Sequence, residues 1–324
     1  MSEISKYINI DWSNISKIFG IETSNIGSFM GLNAPAAAGG DRGVFGGGYD
    51  LLNTMDYITI STTGDAIDFG DLSQGRSHLA ATSNGSSDRG VFGGGYSTNN
   101  TIDYITISTT GDATNFGDLT LLLYGMGATS NGTSDRGIFA GATGPSVNTI
   151  EYITISSPGD STDFGDLTAS RGYIGSTSNS TNNRGVFGGG DNSSNIIDYI
   201  TISSTGVATD FGDLTQIRAY LRAVSNGINN RGVFGGGGVP VNTIDYVTIS
   251  SAADATEFGD LTVSRGQLSS TSNGTNDRGI FGGGYTWSVT VNTIDYITVS
   301  TPGNAIDFGD LLLERFTFDG TSNA

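Results

Sequence analysis

The side chains that most often perform enzymatic chemistry are rare in this chain. It has no cysteine and a single histidine, His78, which argues against both Cys–His and Ser–His–Asp catalysis. The run Asp68–Leu72, Asp-Phe-Gly-Asp-Leu, contains the tripeptide whose Asp holds magnesium in protein kinases. The run recurs at regular spacing and no kinase HRD motif accompanies it, so we interpret it as a structural turn.

Acidic residues are crowded near the same turn. Asp65, Asp68 and Asp71 offer hard oxygen ligands of the type that calcium prefers. Their spacing differs from that of an EF-hand loop, and Val207 or Asn304 replaces the first carboxylate in later copies. We therefore expect solvated carboxylates, with no metal site and no cofactor. Carboxylate pairs for glycoside cleavage have no fixed spacing, so a glycoside-cleaving enzyme stays open as the least favoured function.

These features belong to an internal repeat. Arg-Gly, then Val or Ile, then Phe begins at six arginines spaced by 47 or 48 residues: Arg42, Arg89, Arg136, Arg184, Arg231 and Arg278. Each copy continues with a glycine run and a segment resembling Asn-Thr-Ile-Asp-Tyr-Ile-Thr, which has the composition of a strand. Ile102 and Tyr104 would lie on one face of that strand and Ile105 and Ile107 on the other, so both faces must be covered. No helix is expected after the glycines, which argues against a phosphate-binding loop.

Four strands in a repeat of this length predict a propeller blade, and six copies predict six blades. The diglycines and the arginines that precede the first strand of a blade resemble the kelch repeat and the related central domain of galactose oxidase. Phe69 and its equivalents stand where that family usually has Trp, and the copper ligands of galactose oxidase are missing. The chain ends with Arg315–Ala324, which aligns with the first strand of the other blades. We expect this segment to close the blade that begins at Arg42.

The composition restricts the partners. The formal net charge is −18, and the only two lysines precede the repeats. Such a surface repels phosphate backbones and anionic lipids, so neither nucleic acid nor membrane is expected as a partner. The first residues show no basic region followed by an apolar core, so no secretion signal is expected.

Departures from the repeat mark the candidate ligand site. In an up-and-down blade, the loops between the second and third strands lie on the same side as the connections into the next blade, and both vary here. We call this side the variable face and the opposite side, which holds the Ser-Asn-Gly and Thr-Gly-Asp-Ala turns, the repetitive face. Recognition tends to reside in loops on a rigid scaffold. The candidate ligand-binding residues are Trp287, Tyr285, Tyr220, Tyr173, His78 and Gln267.

Residues 1–35 lie outside the repeat and are treated as a separate N-terminal anchoring segment, followed by the propeller at 36–324. The segment is expected to form short helices, whose apolar side must dock on the propeller or on another protein. The candidate docking residues are Trp12, Ile15, Ile18, Phe19, Ile26 and Phe29.

The segment from Trp12 to Ile21 and the near-identical blades resemble parts of structural proteins from tailed bacteriophages. This resemblance implies a non-enzymatic virion component, in the tail, a fibre or the capsid surface, assembled in the host cytoplasm. The N-terminal segment would bind other virion proteins, and the propeller would display a surface for a partner such as a host glycan. A free carbohydrate-binding propeller is the alternative.

Overall fold

A computed structural model describes residues 41–322, apart from 84–87, 97–99, 133, 145, 180, 193, 228, 239–240 and 274–275. This part of the chain is all-β and forms six four-stranded antiparallel sheets, which are the blades of the expected propeller. The predicted helical segment, with its six candidate docking residues, lies outside the described residues.

The strands follow the repeat. Blade 1 contains β1 (Arg42–Gly46), β2 (Thr54–Thr59) and β3 (Ile67–Asp71); blade 2 contains β4 (Ala80–Ser83), β5 (Arg89–Gly93), β6 (Thr101–Thr106) and β7 (Thr114–Asp118). Blade 3 contains β8 (Gly127–Thr129), β9 (Arg136–Ala142), β10 (Val147–Thr154) and β11 (Thr162–Asp166); blade 4 contains β12 (Gly175–Ser178), β13 (Arg184–Gly188), β14 (Ile196–Thr201) and β15 (Thr209–Asp213). Blade 5 contains β16 (Arg222–Val224), β17 (Arg231–Gly235), β18 (Thr243–Thr248) and β19 (Thr256–Asp260); blade 6 contains β20 (Ser269–Ser272), β21 (Arg278–Tyr285), β22 (Thr290–Thr298) and β23 (Ile306–Asp310).

The C-terminal strand closes the ring as expected. β24 (Asp319–Ser322) pairs with β1, where Val44 lies opposite Thr321, and supplies the innermost strand of blade 1. The first and last parts of the propeller are therefore held in one sheet, which protects the edge of β1 that faces the axis.

The apolar cores lie between blades rather than within them. Ile102 packs with Ile153 of blade 3, whereas Ile105 and Ile107 pack with Val44 of blade 1. The prediction that both faces of this strand are covered is confirmed. Phe69 and its equivalents are buried in the same interfaces. The interpretation of the Asp-Phe-Gly run as a turn is wrong, because the run lies within the outermost strand of each blade, as in β3.

A small hollow in each blade receives a methyl group from its neighbour. A Cβ atom on Gly43 would lie 2.5 Å from Cγ2 of Thr271, and one on Gly90 would lie 2.6 Å from Cγ2 of Thr321. The same contact recurs around the ring, and Val224 supplies the methyl group against Gly279. The glycine of the Arg-Gly motif is therefore required by the inner strand of the preceding blade.

The arginine of that motif also joins blades. Arg42 lies 4.5 Å above the ring centroid of Tyr57 in its own blade and donates a 3.3 Å hydrogen bond to the carbonyl of Ile107 in the next. The stacking occurs in all six blades. The planar guanidinium group of the arginine contacts the face of an aromatic ring and donates to a backbone carbonyl at the same time, which a lysine could not do equally well.

The outermost strand of each blade is covered by a turn of the next. The amide of Gly111 donates to the carbonyl of Phe69 at 2.8 Å, and that of Ala113 donates to the carbonyl of Asp71 at 2.8 Å. The Asp112 carboxylate accepts a 3.0 Å hydrogen bond from the amide of Asp71. The expectation that these carboxylates are merely solvated is therefore incomplete. The Asp112 carboxylate forms a hydrogen bond with the outermost strand of the neighbouring blade and so covers part of its exposed edge.

Candidate functional site

The arginines of the chain all lie in the described part, and each has a structural role. Six stack on tyrosine, and five others form buried ion pairs with aspartate: Arg76–Asp103, Arg171–Asp198, Arg218–Asp245, Arg265–Asp295 and Arg315–Asp56. Arg222 alone belongs to neither set. It reaches from blade 5 to Asp319 in β24, with Nε 3.3 Å from Oδ1, and both side chains are almost entirely buried. Every arginine therefore has an aromatic or a carboxylate partner within the described part of the chain.

A closed circle of backbone hydrogen bonds surrounds the axis at the variable face. The amide of each member donates to the carbonyl of the member in the preceding blade, at 2.5–2.9 Å: His78, Gly125, Tyr173, Tyr220, Gln267 and Thr317. All six have φ between 55° and 70°, a conformation that costs energy for the five residues with side chains. Every blade is thus tied to its two neighbours at the point where the candidate side chains begin.

Aromatic side chains form a continuous strip over this circle. Tyr173 stacks on Tyr220 with ring centroids 4.0 Å apart, Tyr220 meets the edge of Trp287 at 6.5 Å, and Trp287 lies 5.4 Å from Tyr285. On the other side of Tyr173, the His78 ring lies at 5.6 Å.

The strip extends beyond these five rings at both ends. Tyr285 stacks on Phe316 at 5.3 Å and Phe316 on Tyr49 at 4.6 Å, while His78 contacts both Tyr96 and Tyr124. Rings that hold one another in place lose little entropy when a ligand binds to them.

The environment of the strip shifts the pKa values of three of its side chains, His78, Tyr173 and Tyr220, so that their neutral forms are favoured. Burial, and secondarily the charge of Arg222, lower the pKa of His78 to about 4. Burial raises the pKa of Tyr173, and the neighbouring Tyr220 raises it further. Burial likewise raises the pKa of Tyr220. At neutral pH the His78 imidazole and the phenols of Tyr173 and Tyr220 are therefore uncharged, and they can still donate or accept hydrogen bonds.

Five of the six predicted ligand residues are brought together in the strip. The sixth, Gln267, is a member of the backbone circle and donates its amide to the carbonyl of Tyr220. The prediction omitted four rings of the strip: Phe316, Tyr49, Tyr96 and Tyr124. A signal for Phe316 existed, because it follows Arg315 in a connection equivalent to those that carry His78 and Tyr173.

The apolar character of the variable face extends outward from the strip. Of fourteen large apolar residues that are exposed in the described part, eleven lie in its loops and connections: Tyr49, Leu51, Tyr96, Leu121, Leu122, Ile217, Val263, Trp287, Val289, Leu312 and Leu313. The other three, Ile67, Val207 and Ile306, precede or begin outer strands. Such a concentration on one side of a protein with this net charge is typical of an interaction surface.

Within the described residues, no group of three or more histidine or acidic side chains is close enough to hold a metal ion. The same part of the chain contains no helix with the length and apolar character of a membrane span. Comparison with protein-family models gives no match, and no curated protein is significantly similar in sequence.

Proposed function

We propose that this chain is a non-enzymatic binding propeller of the kelch type, carried by the particle of a tailed phage as a tail, fibre or capsid-surface component. The observation that supports it most is the contrast between the two faces. The repetitive face carries nearly the same turn sequence in every blade, whereas the variable face carries a strip of different aromatic side chains. Variation confined to one face of a rigid ring is typical of recognition.

The chemistry of the strip favours a neutral partner. Tyrosine and tryptophan offer large contact areas at low entropic cost, and their polar atoms add hydrogen bonds. None of the rings of the strip is a cation at neutral pH, and the nearby Arg222 is buried and paired with Asp319, so the strip offers phosphate, sulfate and carboxylate groups no cationic side chain of its own. A glycan or an uncharged protein surface fits these properties.

The attachment to a particle is tested by deleting residues 1–35, the proposed anchoring segment. The full-length chain should be incorporated into particles, whereas the truncated chain should not. The purified truncated chain should still show the circular dichroism spectrum of an intact all-β protein. Mass spectrometry of purified particles measures the incorporation. Equal incorporation of the two forms would refute the anchoring role.

A free carbohydrate-binding propeller is the second candidate, and the stacked rings of the strip favour it specifically. On a glycan array, Trp287→Ala should lower binding at least about tenfold, as expected for an aromatic anchor. The matched control is Ile67→Ala, which removes an exposed apolar side chain that lies outside the variable face. Glycan signals that respond equally to both substitutions, or no signals at all, would argue against the lectin function.

His78 gives an independent readout of the same surface. Because it is the only histidine, its imidazole resonances are unambiguous in an NMR spectrum. We expect them to titrate with a midpoint of about 4 and to shift when a partner covers the strip. A midpoint near the ordinary value of about 6.5 would show that His78 is more solvated than the fold indicates.

A further inference from the structure

The variable face has a regular order from its edge to its centre. Each connection between blades crosses this face, from the end of an outermost strand to the start of the next innermost strand. In the connection after β7, Asp118 ends the outermost strand and Tyr124 lies in the aromatic strip. Leu121 and Leu122, between them, are 46% and 51% exposed. The connection after β23 repeats this order with Asp310, Leu312, Leu313 and Phe316.

The edge of the variable face carries six equivalent aspartates, which we call the acidic edge. Each ends the outermost strand of a blade and lies opposite a residue near the start of the third strand, beside the variable loops. The six are Asp71, Asp118, Asp166, Asp213, Asp260 and Asp310. Five are exposed, and Asp260 is half-buried. Within the described part of the chain, none of them forms an ion pair.

A second carboxylate lies beside most positions of the acidic edge. The Asp112 carboxylate accepts from the backbone amide of Asp71 at 3.0 Å, so the two acidic residues are immediate neighbours. The same bond brings Asp160 to Asp118, Asp254 to Asp213 and Asp65 to Asp310. Like charges held this close repel each other, and a cation placed near them relieves the repulsion.

The cations that could balance the acidic edge are buried or lie on the opposite face. The six arginines that stack on tyrosine begin the second strands, at the repetitive face, and four of them directly follow an aspartate in sequence. The five arginines of the connections are fully buried in their ion pairs. Arg222 is buried with Asp319. Among the described residues of the variable face, no exposed side chain is therefore a cation.

These properties restrict what can cover the variable face. A second copy of this chain would bring two acidic edges together, which like-charge repulsion opposes. A neutral glycan would stack on the strip, but the acidic edge would contribute little to its binding. A protein surface that is apolar at its centre and basic around that centre would use both parts of the face. Protein interfaces typically have this division into an apolar core and a polar rim.

We infer that the variable face binds a protein whose contact surface has an apolar centre surrounded by lysine or arginine side chains. The inference rests on the proposed function, which makes this face the recognition surface, and it specifies the partner. Burial of the strip and of the exposed leucines supplies most of the affinity. The acidic edge orients the partner and speeds its association, at a rate that falls as salt is added.

The test measures the binding of three synthetic peptides to the full chain by isothermal titration calorimetry. The first consists of leucine and lysine, with leucines at helical spacing, so that about 18 residues form a helix about 27 Å long with one apolar face. The second has glutamate in place of lysine, and the third has serine in place of leucine. The Leu–Lys peptide should bind at least about tenfold more tightly than either control, because it alone offers both properties.

Two matched triple substitutions locate the ionic contacts. The first removes three charges of the acidic edge and should weaken binding of the Leu–Lys peptide about tenfold: Asp71→Asn, Asp213→Asn and Asp310→Asn. The second removes equal charge from the same three strands, about 10 Å farther from the face, and should change binding less than about twofold: Asp68→Asn, Asp210→Asn and Asp307→Asn. All six side chains are exposed, so the fold should tolerate both changes.

The apolar contact is located independently. Trp12→Phe leaves Trp287 as the single tryptophan, so a change in its fluorescence on addition of the Leu–Lys peptide shows that the strip is covered. Leu122→Ala combined with Leu313→Ala should weaken binding about fivefold, because both leucines are exposed on this face. Ile306→Ala is the control, since it removes an exposed side chain at the start of an outermost strand, and binding should stay unchanged.

Several outcomes would overturn the inference. Equal binding of the Leu–Glu or the Ser–Lys peptide would mean that one property is sufficient, and equal losses in the two triple variants would mean that only total charge matters. Absence of peptide binding would overturn it as well, and glycan signals that depend on Trp287 would then identify a glycan as the occupant. Failure of the full chain to enter particles would refute the proposed function but leave these affinities unchanged, so the two failures are distinguishable.

Discussion

Blade 3 solves the same packing problem as the other five blades with different residues. In blade 5, which represents the five, Arg218 lies against Gly237 and pairs with Asp245 at 2.6 Å. Blade 3 has Leu123 in place of the arginine, Glu151 in place of the aspartate, Ala142 in place of the glycine, and Ser161 where other blades have alanine. Both carboxylates are fully buried.

The difference teaches that the blade requires a buried carboxylate with enough donors, rather than an arginine as such. Asp245 accepts from Arg218 and from the Thr215 hydroxyl at 2.7 Å. Glu151 accepts from the Ser161 hydroxyl at 2.6 Å, and from the amide and hydroxyl of Thr120. Exchanging one member alone would leave a buried charge without a partner, so the substitutions are coupled.

The largest effect is expected for Arg218→Leu, which places the blade 3 side chain in blade 5 without its companions. Asp245 would keep only its hydrogen bonds from Thr215, and the free energy of unfolding should fall by about 3–5 kcal/mol. Urea denaturation followed by tryptophan and tyrosine fluorescence measures the change. A loss below about 1 kcal/mol would mean that Asp245 becomes protonated or hydrated at little cost.

The triple substitution Arg218→Leu, Asp245→Glu and Ala255→Ser is the complement of that experiment. It supplies the longer carboxylate and the hydroxyl donor of blade 3, so it should recover more than half of the lost stability. Gly237 is left unchanged because its φ of 147° disfavours alanine. No recovery would mean that the backbone around Ala142 is also part of the blade 3 solution.

An intermediate effect is expected for Ser161→Ala. It removes one hydroxyl donor from the buried Glu151, and the unfolding free energy should fall by about 1–2 kcal/mol because the Thr120 bonds remain. The control is Ala208→Ser in blade 4, where Asp198 already has Arg171 as a partner. We expect no stabilisation from the control, and a gain equal to the loss in blade 3 would contradict the coupling.

The smallest expected effect is a gain in stability, and it concerns the turn that covers the outermost strand of blade 3. Asp112 and its equivalents accept from the outer-strand amide of the preceding blade, but Val207, which faces Asp166 of blade 3, cannot. Val207→Asp should raise stability by about 0.5–1 kcal/mol, measured as a higher midpoint of thermal unfolding. Asp254→Val, which breaks the bond to Asp213, should produce a loss of similar size. A decrease for Val207→Asp would indicate that charge repulsion exceeds the hydrogen bond.

The repeat made much of this structure predictable, because a motif present six times fixes the strand order, the blade number and the side on which the variable loops lie. The grouping of Trp287 with Tyr220 followed from their shared side. The repeat did not predict which ion-pair or hydrogen-bond partner an individual side chain would have. That Arg222 reaches Asp319 past a whole blade, and that the Thr271 hydroxyl is buried without a hydrogen-bond partner among the described residues, depend on distances between blades that no local pattern encodes.

The use of β24 to complete blade 1 has a consequence during synthesis. β1 is made among the first strands, yet its partner emerges only after the other blades have been translated. Until then, one edge of β1 and the inner part of the neighbouring core are open to solvent and to other nascent chains. Closure requires contacts between residues far apart in sequence, which form slowly. A chain interrupted late in translation would therefore be an open ring in which one edge of β1 is unpaired and can bind strands of other chains, rather than a propeller that lacks only a few residues.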